Sequence, residues 1–191
     1  ADTATWLSAG GPPTAGDAVT ITAGSTVTVT GTGRSRALWV EPGGTLVIAA
    51  GATLSVEEAV SNRGTLRQTV AALPYDAATP LLALPNEAGD QVRYRGVLIR
   101  RTIGAMGPVT VEVRGNAACE TDGRPGDTVN RCFVIEAAGT ADVTFFYLAS
   151  ELGGLDPAAI AAWHRTDGGW SLAGAVAARG DEGDSYWVTM M

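Results

Sequence analysis

Along the first third of the chain, apolar side chains fall in pairs separated by one residue: Val19/Ile21, Val27/Val29, Leu38/Val40, Leu46/Ile48 and Leu54/Val56. Leu66, in NRGTLRQ, begins a degenerate sixth pair. The intervening Thr20, Thr28, Trp39, Val47, Ser55 and Arg67 are mostly polar. Period-two alternation gives a strand one buried and one hydrated face. A longer rhythm lies over it. Val27, Leu46 and Leu66 are 19 and 20 residues apart, and Val19 and Leu38 are 19 apart. A self-similar period of about 20 is what a β-solenoid coil requires, each coil stacking its inward residues on those of the next. Gly24, Gly43, Gly51 and Gly64 mark the corners, where positive φ is often needed. Residues 1–72 are therefore expected to form a short β-solenoid-like region, with an antiparallel meander of eight-residue spacing as the alternative.

The alternation then breaks. Residues 71–90 carry Pro74, Pro80 and Pro85, and a Pro-rich linker is expected over 73–90. Strand-like runs resume in VRYRGVLIRRT, PVTVEVRG, NRCFVIEA, ADVTFFYLAS, AAIAAWHRT, GGWSLAG and DSYWVTM. Seven short strands with turn signals between them predict an Ig-like antiparallel β-sandwich over 91–191. The expected class is all-β, and a composition leaning to Val, Thr, Ala and Gly agrees with it.

Net charge narrows the partners. At −7 the chain lacks the basic face that displaces counterions from phosphates, so nucleic acid is not an expected partner. The largest Arg group is Arg93, Arg95, Arg100 and Arg101. All thirteen basic residues are Arg. Without a lysine amine, neither isopeptide cross-links nor Schiff-base chemistry is available. No apolar run of about 20 residues spans a membrane. The sequence begins Ala-Asp-Thr without Met, as a chain freed of a signal peptide would, and as a trimmed chain would.

Cys119 and Cys132 flank the turn-rich GRPGD stretch, a spacing that suits a disulfide better than zinc, with two unrelated reduced thiols as the alternative. A disulfide implies an oxidising, extracellular or cell-surface location. No catalytic, cofactor or metal residue is expected. The sole histidine, His164, has no nucleophile elbow to serve. Glu57 and Glu58 point to opposite faces of a strand, Glu120 and Asp122 flank the disulfide, and Glu151 falls in a loop, so no carboxylate pair suits glycoside hydrolysis. The acidic turn Asp181-Glu182-Gly183-Asp184 matches no spaced calcium loop. Arg179-Gly180-Asp181, a tripeptide some adhesion receptors read, arises readily by chance. Trp163, Trp170 and Trp187 fall in sandwich runs where core packing is the ordinary role. Trp39 differs, since the alternation puts it outward.

Two stretches resemble known secreted modules. GDAVTITAGSTVTV, the two GxTLxV copies and SNRGTL resemble the β-helix repeats of bacterial surface proteins, over about a third of the chain. The run from Val143 to Tyr147, Glu151 to Leu155, Trp163 and Asp167 to Trp170 resembles a β-sandwich module of large secreted bacterial proteins. This resemblance implies an extracellular structural or accessory role and transfers no catalytic residues.

A solenoid of two or three coils leaves an open end that something must cover. The leading expectation is an extracellular structural subunit that self-assembles non-covalently into a filament or surface layer, its partner being itself. Two routes are open: head-to-tail stacking of solenoid ends, or strand donation. Candidate self-association residues are Trp6, Leu7, Val19, Ile21, Trp39 and Leu66, with the final DSYWVTMM run as a second donor candidate. The alternative is a monomeric adhesin or carbohydrate-binding module with a glycan as partner, and a polysaccharide-active enzyme is the third reading.

Overall fold

The computed structural model describes residues 13–104, 106–119, 127–166 and 169–191. Its first six strands are β1 (Ala18–Ile21), β2 (Thr26–Val29), β3 (Thr32–Val40), β4 (Thr45–Ile48), β5 (Thr53–Asn62) and β6 (Thr65–Val70). Odd strands pair in the order β1-β3-β5 and even strands in the order β2-β4-β6, all parallel. Val19 stands beside Leu38. Val27, Leu46 and Leu66 stand in one row. The 19- and 20-residue rhythm is thus the offset between adjacent parallel strands, and each step of it stacks an inward apolar residue on its predecessor.

Of the corner glycines, Gly24, Gly43 and Gly51 have positive φ, as a left-handed turn requires. Gly64 does not. It is needed for proximity, because a Cβ there would collide with the carbonyl oxygens of Glu41 and Gly44.

The chain continues through β7 (Ala78–Leu81), β8 (Leu84–Pro85), β9 (Val92–Tyr94), β10 (Val97–Ile103), β11 (Val109–Gly115) and β12 (Arg131–Glu136). It ends with β13 (Thr140–Leu148), β14 (Trp163–Thr166), β15 (Gly169–Leu172), β16 (Val176–Glu182) and β17 (Ser185–Met190). One antiparallel sheet runs β16-β17-β13-β10-β7. The other continues the even ladder: β11 adds antiparallel to β6, and β12 to β11, giving β12-β11-β6-β4-β2. The molecule is all-β and sandwich-like, and the two five-stranded sheets share one apolar core.

Several expectations change here. The stretch expected as a linker supplies β7 and β8 and buries Leu73, Leu81, Leu82 and Leu84 in the common core. Pro80 is tolerated because β7 is a sheet edge, where a missing N–H leaves no ladder bond unmade. Leu66, expected at an open end, is 0% exposed because Val113 of β11 pairs beside it. Ile21 is likewise buried, at 2% exposure. The final apolar run is β17, held between β13 and β16.

A buried polar chain ties the parallel ladders to the rest. Asn62, the last residue of β5, donates through Nδ2 to the Tyr94 hydroxyl at 3.1 Å and to the Val113 carbonyl at 3.3 Å. The Tyr94 ring lies under the Arg131 guanidinium, 4.9 Å from carbon to centroid. Burial pushes the Tyr94 phenol pKa up, and the Arg131 charge and the Asn62 hydrogen bond oppose this less strongly.

Candidate assembly site

The inner faces of the two sheets are not equally closed. At β11, Val109, Val111 and Val113 are fully covered. One strand further out, Phe133 and Ile135 of β12, opposite Val113 and Val111 in register, are only half-buried. The other sheet extends past them through β17 and β16, so the β12 edge borders a slot in which, among the described residues, the first sheet has no further strand. The slot is a groove of about 620 Å³. Its floor is Phe145, Tyr147 and Val188, and Phe133 meets Phe145 edge-on with ring centroids 5.1 Å apart. The far wall is the segment holding Ile160, Ala162 and Trp163, which lead into the β14–β15 hairpin. Trp163 is 38% exposed there. The Trp170 indole N–H is buried at this wall with no acceptor among the described residues.

Local chemistry holds both walls in place. Cys132 of β12 is disulfide-bonded to Cys119, as the spacing predicts, with Cα atoms 4.7 Å apart. Arg131, at the start of β12, is 1% exposed. Its Nε donates to the Glu151 carboxylate at 2.8 Å, and its Nη1 donates to the Arg95 and Phe146 carbonyls at 3.0 and 2.8 Å. Glu151 sits in a 3-10 turn, Ala149–Glu151, and also accepts from the Leu148 N–H at 2.8 Å. On the far wall, Asp156 caps a second short turn through the Ala158 N–H, and Arg179 Nε donates to the Ile160 carbonyl at 2.9 Å.

The remaining expected residues are scattered. Trp6, Leu7, Glu120 and Asp122 lie outside the described residues. Val19 is half-buried on β1, the outermost parallel strand. Trp39 is 40% exposed, in a row with Thr20 and Ser61. With Arg63 and Glu41 these line a separate depression of about 370 Å³. His164 meets Ser171 across the β14–β15 hairpin, Nε2 to Oγ 3.2 Å, and is exposed. Of the arginine group, Arg95 forks onto Glu182 at 2.6 and 2.9 Å, Arg100 pairs with Asp142, and Arg101 lies over Tyr75. Glu182 of the acidic turn is therefore engaged with an arginine, and among the described residues no group of three His, Cys, Asp or Glu is placed to hold a metal. Arg179, Gly180 and Asp181 lie within β16 rather than at a loop tip. A Cβ on Gly180 would strike the Trp187 ring, which gives that glycine a packing role.

Sequence reasoning missed the groove. Phe133, Ile135 and Phe145 read as ordinary alternating core positions, and their incomplete burial appears only once the strand order is known. Comparison of the chain with protein-family models, with curated proteins and with solved structures finds no match in any of the three. Among the described residues, no helix is long and apolar enough to cross a membrane.

Proposed function

We propose that the protein is an extracellular structural subunit that self-assembles non-covalently by accepting a β-strand into the groove beside β12. We read the three parallel rungs as a short β-solenoid fused to an Ig-like sandwich that lacks one strand. The 19- and 20-residue offsets support the first half of that reading. The observation that carries the function is the half-covered inner face at Phe133, Ile135 and Phe145 beside an edge strand. A strand added there would extend the ladder and bury those rings, the strand-addition mode of peptide recognition. Head-to-tail stacking of solenoid ends is the weaker route, because β11 and β12 already extend the even ladder beyond β6. The disulfide favours an oxidising compartment.

Sedimentation and electron microscopy of the native protein test this. Polymer is expected, and Val134→Lys, which puts a charge on the β12 edge as natural edge strands do against pairing, should leave folded single subunits. A native protein that is uniformly monomeric overturns the proposal.

A second reading, a glycan-binding module, is favoured by exposed Trp39 beside the Thr20 and Ser61 hydroxyls and Arg63, an indole face edged with hydrogen-bonding groups. Binding of polysaccharide by monomeric protein, lost in Trp39→Ala, would select it.

A further inference from the structure

We infer that the outward face of the sheet β16-β17-β13-β10-β7 binds a neutral polysaccharide, with Trp187 as the surface on which one sugar ring stacks. The site is independent of strand acceptance, which uses the opposite face of the same sheet, and it lies on a different sheet from the Trp39 depression.

The register sets which side chains face out. Phe145, Tyr147 and Val188 form the groove floor, so Phe146 and Trp187, which stand opposite each other across β13 and β17, point the other way. Thr144 and Thr189 are paired one step further along that outward face. Among the described residues, neither Phe146 nor Trp187 packs against either apolar core, yet both are half-buried. Trp187 therefore does not have the ordinary core role that its strand-like run suggests.

Gly180 explains how an outward indole stays close to the sheet. It stands opposite Trp187 on the edge strand β16. A Cβ there would lie 2.5, 2.7 and 3.0 Å from Cζ2, Cε2 and Nε1 of the indole. The ring thus reclines across β16, in the space a side chain would take, and its outward side remains open. The C–H face of a pyranose is apolar, so stacking it on that ring removes apolar surface of both from water.

Polar groups on both sides of the indole are already fixed. On one side, the Arg95 guanidinium lies over the Phe146 ring, 5.5 Å from its centroid, and forks onto Glu182 at 2.6 and 2.9 Å. On the other, the Thr144 and Thr189 hydroxyls bond each other at 2.8 Å. The fork uses only part of the guanidinium's donors and the carboxylate's lone pairs, and the hydroxyl pair keeps one O–H to donate. An aromatic face edged with a few fixed donors and acceptors can stack a sugar ring and orient its hydroxyls. Because the pairs hold these groups before binding, little ordering is left for the ligand to impose.

Charge selects the ligand. Arg95 and Glu182 neutralise each other, and Arg100 and Asp142 further along the face do the same. Among the described residues this face offers no unpaired cation to a phosphate, sulfate or uronate, and a net charge of −7 repels polyanions. A neutral chain rich in hydroxyls is the partner whose chemistry matches. From β16 to β10 the face is three strand spacings wide, about 14 Å, which suits several linked sugars better than one.

Isothermal titration of the native protein with cellohexaose, xylohexaose, laminarihexaose and an oligogalacturonate of equal length tests this. At least one neutral oligosaccharide should bind, and the oligogalacturonate should bind more weakly than it. Trp187→Ala should weaken that binding about thirtyfold or more, as truncating a central aromatic anchor does. Trp187→Phe, which keeps a flat ring, should retain most of it. Circular dichroism and the intact Cys119–Cys132 bridge check that each variant is folded. Should Trp187→Ala fail to fold, Glu182→Gln and Thr189→Val carry the test, and full affinity in both would overturn the inference. It is also overturned, with strand acceptance left standing, if no neutral oligosaccharide binds or if the oligogalacturonate is preferred. Binding that survives Trp187→Ala unchanged but is lost in Trp39→Ala overturns it too, and assigns the glycan to the Trp39 depression.

Discussion

Arg131 and Glu151 face each other inside the protein at 2.8 Å, one opening strand β12 and the other closing the 3-10 turn after β13. Every polar contact around them has a structural purpose: the guanidinium also binds two carbonyls, and the carboxylate also binds a backbone N–H. The pair locks the groove's edge strand to the sheet that forms its floor.

Removing one partner leaves the other charge buried without compensation, which is much costlier than losing a surface ion pair. Glu151→Gln or Arg131→Met should each lower stability by about 3–5 kcal/mol in urea unfolding. Arg100→Ala, which breaks an exposed pair with Asp142, should cost about 1 kcal/mol or less. Equal losses for buried and exposed pairs would show that Arg131 is not structurally special.

The Cys119–Cys132 bridge closes a loop with a sequence separation of 13 residues. In the chain-entropy model its loss costs about 3 kcal/mol. A Cys119→Ala/Cys132→Ala double variant should unfold at correspondingly lower denaturant, and reducing agent should bring the native protein to the same midpoint. Coincident unfolding of oxidised and reduced protein would refute this contribution.

The parallel ladders were legible in the sequence because stacking fixes the offset. Val27, Leu46 and Leu66 can share one row only if successive parallel strands are separated by a nearly constant number of residues. The 73–90 stretch was illegible for the opposite reason. Its prolines imitate a linker, yet Pro80 occupies an edge strand, where the missing N–H is harmless. Glu151 reads in the sequence as a lone loop carboxylate. Its physical role depends on Arg131, 20 residues earlier, and no local pattern announces that pairing. The disulfide was legible from spacing, whereas the groove was not, since it consists of a place where no strand lies among the described residues.

Leu66 separates stability from assembly. It is fully covered, with Leu46 on one side and Val113 on the other. Leu66→Ala should therefore cost about 2–5 kcal/mol by opening a cavity. It should nevertheless leave polymer formation intact below its unfolding temperature, unlike Val134→Lys. Monomeric but fully folded Leu66→Ala protein would return that residue to the assembly surface.

The buried tyrosine sets an alkaline limit. Burial favours the neutral phenol of Tyr94, so its pKa in the folded protein lies above the ordinary 10.0. Tyr147 is shifted the same way, again chiefly by burial. The unfolded chain then releases these protons first as pH rises, so the stability is fully present below the ordinary value and is lost progressively above it. Stability should be flat approaching about pH 10 and should fall beyond it, in step with the appearance of tyrosinate absorbance. Tyr94→Phe removes one of the two buried phenols and should flatten that fall. It should also lower stability at neutral pH, because Asn62 Nδ2 keeps only the Val113 carbonyl of its two acceptors. If the alkaline fall is equally steep in Tyr94→Phe, then Tyr147 or another group sets the limit, and Tyr94 is removed from the account.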